Sequence, residues 1–101
     1  MALTNKQARQ LRGLAQHLDP VINIGKADIS DGLVKQTDQA LEAHELVKCS
    51  VQNGSSLTVS EAADALAEQV NAELVQVIGR KFVLYRESSR DDIVKIELVQ
   101  G

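Results

Sequence analysis

His17, His44, Cys49 and the Ser55–Ser56 pair are the side chains a hydrolase would recruit from this 101-residue chain as base or nucleophile. Their spacing supports no such use, because neither histidine stands in a nucleophile–base–acid pattern or a metal-binding run. His44 falls at the end of an apolar helical stripe, where an imidazole near the last carbonyls caps or packs. His17 falls on a polar face and reads as solvated. Cys49 alternates with Val47 and Val51, the position of a small core residue and not of an exposed thiolate. No Walker loop, no G-x-G-x-x-G and no carboxylate pair at a glycine-rich turn is present. The chain is therefore expected to be no enzyme and to hold no metal or cofactor.

Basic side chains offer a second chemistry, the binding of anions. Lys6, Arg9 and Arg12 span about 120° of a helix, centred nearly opposite Leu11, and residues 1–18 contain no acid. Residues 76–86 carry Arg80, Lys81 and Arg86, again without an acid, and Lys26 stands two residues from Asp28. These three segments hold seven basic residues and one acid, a local charge of +6 that leaves −9 for the rest and conceals itself in a formal total of −3. They are either ordinary solvated faces or one basic surface, depending on whether the segments converge. Phe82 and Tyr85 lie an odd number of residues apart on one strand and point to opposite faces, which excludes an aromatic stacking platform. A nucleic-acid reader of this composition would place Lys and Arg on phosphates. Main-chain N–H groups of a tight loop before a helix would add to them, and Gly25-Lys26-Ala27-Asp28 is that loop.

The elements that must position these residues follow from periodicity. Thr4 and Gln7 form a capping-box pattern ahead of a helix whose Ala8, Leu11, Leu14, Ala15 and Leu18 share a stripe ended by Asp19-Pro20. Val21–Ile24 is a short β-branched strand. Ser30 caps a second helix with Leu33, Val34, Thr37, Ala40, Leu41 and His44 on one face. Leu46–Gln52 is the next strand, and after the turn Asn53–Ser56 a third helix, capped by Ser60, carries Ala63, Leu66, Ala67 and Val70 inward and Glu61, Asp64 and Glu68 outward. Leu74–Ile78 and Lys81–Arg86 flank Gly79-Arg80 as a tight antiparallel hairpin. Residues 93–99 alternate and leave an added edge strand or a docked tail open. The order α-β-α-β-α-β-β predicts an α/β fold of the α+β two-layer kind, a small mixed sheet covered by helices. Leu, Ile, Val and Phe number 30 of 101 residues, enough for one aliphatic core. A lone cysteine, no apolar run of membrane-spanning length and no signal-peptide layout lead to the expectation of a soluble cytoplasmic protein.

Four motifs in order, Leu3-Thr4-Asn5-Lys6-Gln7 with Leu11-Arg12-Gly13-Leu14-Ala15, Pro20-Val21 to Ile24-Gly25-Lys26, His44-Glu45-Leu46-Val47-Lys48, and Val77-Ile78-Gly79-Arg80-Lys81 to Leu84-Tyr85-Arg86, resemble the YhbY family of CRM (chloroplast RNA splicing and ribosome maturation) domain proteins. The resemblance covers residues 3–86. It implies a fold similar to the C-terminal domain of translation initiation factor three, with a four-stranded sheet of order 1-2-4-3. It also implies RNA binding in ribosome maturation, through association with ribosomal RNA of large-subunit precursors, with no catalytic activity and no cofactor; ribosomal proteins are a further candidate partner, and no membrane or small-molecule substrate is expected. On that reading residues 1–86 form one RNA-binding domain followed by a tail, 87–101. The RNA-facing residues are Lys6, Arg9, Arg12, Gly25, Lys26, Ala27, Asp28, Arg80 and Lys81. The family's loop is usually G-x-x-G, and here Asp28 takes the place of the second glycine. An aspartate there either turns a carboxylate toward an approaching phosphate or completes the turn and helps Ser30 start the helix. A second reading is a protein-interaction module using the acidic third helix or the 93–99 segment.

Overall fold

A computed structural model of the chain describes residues 3–100. Thr4 and Gln7 close the expected capping box, and α1 runs Asn5–Ala15. The strand β1, Ile22–Ile24, leads through the loop 25–28 into α2, Asp31–His44, whose first turn is capped by the Ser30 hydroxyl accepting from the Leu33 N–H. Then come β2 (Leu46–Val51), α3 (Val59–Val70), β3 (Glu73–Ile78) and β4 (Lys81–Tyr85). Helix α3 starts two residues earlier than its Ser60 suggests. Thr58 and Glu61 form the reciprocal capping box, which satisfies two backbone donors where Ser60 inside the first turn would satisfy one.

The sheet order is β1-β2-β4-β3, with β1 parallel to β2 and β4 antiparallel to both neighbours. Gly79 at φ 56 opens the two-residue turn between Ile78 and Lys81, with positive φ at the first position only, as in II′ hairpins. Alternation along β4 splits the core. Phe82 and Leu84 join Ile22, Ile24, Val47, Cys49 and Val51 beneath α2 and α3, where Ala62 and Ala63 allow close approach. Val83 and Tyr85 face the other way, with Leu11 and Ala15 of α1. The mixed α+β sheet is as expected, and α1 extends the two-layer description by covering part of the second face. Both aromatics are buried, at 1% and 3% exposure, on opposite sides. Cys49 is a core residue whose thiol is pushed up to about 12 by burial, which disfavours the thiolate.

Residues 93–99 belong to no strand. They run beside α1, with Ile96 and Leu98 packed on the α1-side core. The Gln10 side chain bonds the Glu97 carbonyl and the Val99 N–H, the Gln7 amide donates to the Val99 carbonyl, and Glu45 accepts from the Ile96 N–H at 2.7 Å. Four backbone groups of the segment, the Ile96 and Val99 N–H and the Glu97 and Val99 carbonyls, are thus engaged by side chains of α1 and by Glu45. Among the described residues no helix is long and apolar enough to cross a membrane.

Candidate nucleic-acid interface

Because β1 and β2 run parallel and β4 antiparallel, the loop after β1, the turn after β2 and the β3–β4 hairpin gather at one end of the sheet. Specific bonds hold them there. The Gln52 N–H reaches the Ile24 carbonyl at 2.7 Å, and Val51 and Arg80 are tied twice, through the Val51 N–H to the Arg80 carbonyl (2.8 Å) and the Arg80 Nε to the Val51 carbonyl (3.1 Å). A Cβ on Gly54 would stand 3.2 Å from the Lys26 Cγ, so the second turn passes directly beneath the Lys26 stem. Lys26, Arg80 and Lys81 thus share one exposed end.

Asp28 resolves the two alternatives left by its sequence position. It does complete the turn, its N–H donating to the Gly25 carbonyl at 2.9 Å, and it adopts φ 51, the left-handed conformation a second glycine would take. Its carboxylate does not point at an approaching phosphate. It accepts from the Ser55 hydroxyl (2.6 Å), the Ser56 hydroxyl (2.6 Å) and the Ser56 N–H (3.1 Å), latching the loop to the turn after β2. The Ser55 hydroxyl bond first, then that of Ser56, holds its pKa below the ordinary aspartate range. A depressed pKa means that the latch is present above that range and lost as pH falls through the folded value. Asp28→Ala at neutral pH is expected to reproduce the acid effect, with faster amide hydrogen exchange at 25–28 and 55–56 and little change in α1. Equal exchange in the two proteins would show that the latch holds nothing.

The N-terminal basic residues divide. Arg12 is half-buried, about 100° around α1 from the buried Leu11, and Gln16 stands one turn beyond it on the same flank. Gln16 lines a concavity of about 220 Å3 together with Lys48, Gln76, Ile78 and Lys81, which brings the Arg12 flank toward the hairpin. Arg9 and Lys6 are exposed and lie about 160° and 140° around α1 from Leu11, so both face away from the sheet. Among the described residues Lys6, Arg9, Arg12, Lys26 and Lys81 have no hydrogen-bond or ion-pair partner. Arg86, counted with them by charge, is elsewhere: it forks across α2 to Asp38 (2.7 Å) and Glu42 (3.0 Å), donates to the Val70 carbonyl, and its side chain is 19% exposed. Charge runs do not reveal Lys48, since it sits alone in an apolar strand. Its alternation opposite Val47 and Cys49 was the available signal, and its Nζ donates once, to the Leu18 carbonyl at 3.1 Å.

Both histidines lie outside this end. His44 is exposed, not on the buried stripe, because Glu45 at φ 65 ends the helix and turns inward in its place. It joins His17 and Asp19 along a groove of about 540 Å3 walled by Leu14, Val21 and Ile96. Among the described residues no group of three or more His, Cys, Asp or Glu is placed to hold a metal ion.

Comparison with known proteins agrees with this architecture. The chain is similar to "Probable RNA-binding protein YqeI" of Bacillus subtilis, at 40% identity over 93% of this chain and 98% of the relative. It is also similar to a protein named "RNA-binding protein" of Haemophilus influenzae, at 36% identity over 90% and 92%. The solution structure of SAV1595 from Staphylococcus aureus superimposes with a TM-score of 0.78 at 44% identity, covering 97% of this chain and 100% of that one. The sequence model of the CRS1 / YhbY (CRM) domain matches residues 3–86, and the chain belongs to that family.

Proposed function

We propose that this protein is a small non-catalytic RNA-binding protein that grips the phosphate backbone of structured RNA at the hairpin end of its sheet, and that its partner is ribosomal RNA in large-subunit precursors. The observation that carries the reading is the meeting of Lys26, Arg80 and Lys81 around a loop whose glycine the fold does not require. Gly25 lies outside the left-handed region, and a Cβ there would meet nothing within 4 Å. Such a position suits close approach by a group from outside the chain. The relatives' names support RNA as that group. The three loops are mutually bonded, so the contact surface is preorganised and little ordering entropy opposes binding. Net charge of −3 limits long-range steering, and a localised patch must supply the attraction.

Sedimentation of lysate through sucrose gradients at low and moderate salt tests the reading. The wild-type chain is expected with large-subunit precursors and absent from mature subunits. Gly25→Ala is expected to keep the thermal melt of the wild type while shifting to the top of the gradient. Even distribution over all ribosomal particles would overturn the precursor assignment, and unchanged sedimentation of the alanine variant would overturn the role of the loop.

A further inference from the structure

The face of the sheet shared with α1 is only partly covered. Leu46 and Tyr85 form one cross-strand row under the helix, but α1 ends at Ala15. The next two rows, Lys48–Val83–Gln76 and Ser50–Lys81–Ile78, continue beyond it toward the hairpin. They make the concavity of about 220 Å3 that Gln16 closes from the helix side. Ile78 is 60% exposed at its rim. Among the described residues the side chains of Gln16, Gln76 and Lys81 have no hydrogen-bond partner, and Lys48 uses one of its three donors.

We propose that this concavity seats one unstacked nucleobase of a bound RNA, an inference that rests on the RNA reading above and extends it from the backbone to a base. Three features match that ligand. The volume lies below the roughly 300 Å3 at which pockets for whole small molecules begin, and suits a single planar ring. Ile78 offers apolar surface to a ring face above the buried Val83, while the two glutamine amides each carry donors and an acceptor for a base edge. Lys81 and Lys48 supply the charge for the attached phosphate. Lys81 directly follows Arg80, so a strand lying over Lys26 and Arg80 continues onto it without leaving the protein. A free phosphate would use the lysines but not the amides or the apolar wall. The seat takes the place of the aromatic platform that Phe82 and Tyr85 cannot form.

Fluorescence anisotropy at low salt, with decauridylate and decaadenylate compared with a ten-unit ribose-phosphate strand lacking bases, separates base from backbone. At least one base-bearing strand is expected to bind the wild type about five- to tenfold tighter than the abasic strand. In the Gln16→Ala/Gln76→Ala double variant that advantage is expected to vanish while the abasic strand binds as before. Both substituted side chains are exposed or half-buried, and an unchanged melt confirms the fold. Equal binding of all strands to the wild type, or an advantage that survives in the double variant, would overturn the seat and leave the backbone reading intact. Failure of the wild type to bind any of these strands would overturn the seat as well. Binding of structured ribosomal RNA in the same buffer then decides the wider reading separately.

Discussion

Replacing Lys26, Arg80 and Lys81 together by glutamate is expected to lower affinity for structured RNA at least about a hundredfold at moderate salt, with the fold retained. All three side chains are exposed. The structural cost is confined to one bond, Arg80 Nε to the Val51 carbonyl, whose loss amounts to about 1 kcal/mol. The functional cost is larger because the three residues occupy adjoining loops, so reversal creates a compact negative surface where phosphates would lie. Arg86→Gln provides the contrast. Its guanidinium serves Asp38, Glu42 and the Val70 carbonyl, and the substitution should lower stability while leaving the affinity of the folded fraction unchanged. Filter binding beside thermal melts of both variants distinguishes the two classes of arginine.

The second large effect is expected at Glu45. Its side chain is 1% exposed, and the two carboxylate oxygens accept separately, Oε2 from the Ser88 N–H and Oε1 from the Ile96 N–H, each at 2.7 Å. The residue also carries a positive φ of 65 at the end of α2, a conformation held by these bonds against its intrinsic cost. Glu45→Gln is nearly isosteric but turns one acceptor into a donor facing an N–H. It should cost about 2 kcal/mol in urea unfolding, and Glu45→Ala, which strands both N–H groups and opens space, about 3 kcal/mol. Proteolysis within 88–99 should accelerate in both. Ser88 and Ser89 add to the same anchorage through Glu42, whose pKa the Ser89 hydroxyl, then the Ser89 N–H and Arg86, hold below the ordinary range. A melt of Glu45→Gln within a few tenths of a kcal/mol of wild type would show that the tail is not clasped by this carboxylate.

What the sequence discloses and what it hides follow one physical division. Signals complete within a few residues are legible: the Thr4/Gln7 box, the Ser30 cap, the Gly79-Arg80 turn, and the odd spacing that sends Phe82 and Tyr85 to opposite faces. The α-β-α-β-α-β-β order and its hairpin are legible on the same grounds, and they bring the three loops to one end. Features that depend on a distant partner are not. Asp28 takes its meaning from Ser55 and Ser56, 27 and 28 residues away, and Arg86 from Asp38 and Glu42. Charge counting treats Arg86 and Lys81 alike although one is locked into α2 and the other is open. Glu45 breaks the helical wheel by leaving it, which exposes His44 against the pattern. Gln16 and Gln76 carry no charge and no periodic signature, so only the open rows of the sheet bring them into view.

If a localised cluster of cations meets RNA phosphates, the salt dependence of binding measures that contact directly. On the proposed reading Lys26, Lys48, Arg80 and Lys81, with Arg12 on the adjoining flank of α1, are the groups that meet phosphates, and neutralising about five of these predicts a slope of log affinity against log salt of about −3.5 to −4.5. In the Lys26→Glu/Arg80→Glu/Lys81→Glu variant the slope should fall to about −1 to −2. A wild-type slope near zero, or an equal slope in the triple variant, would show that these cations do not meet the phosphates.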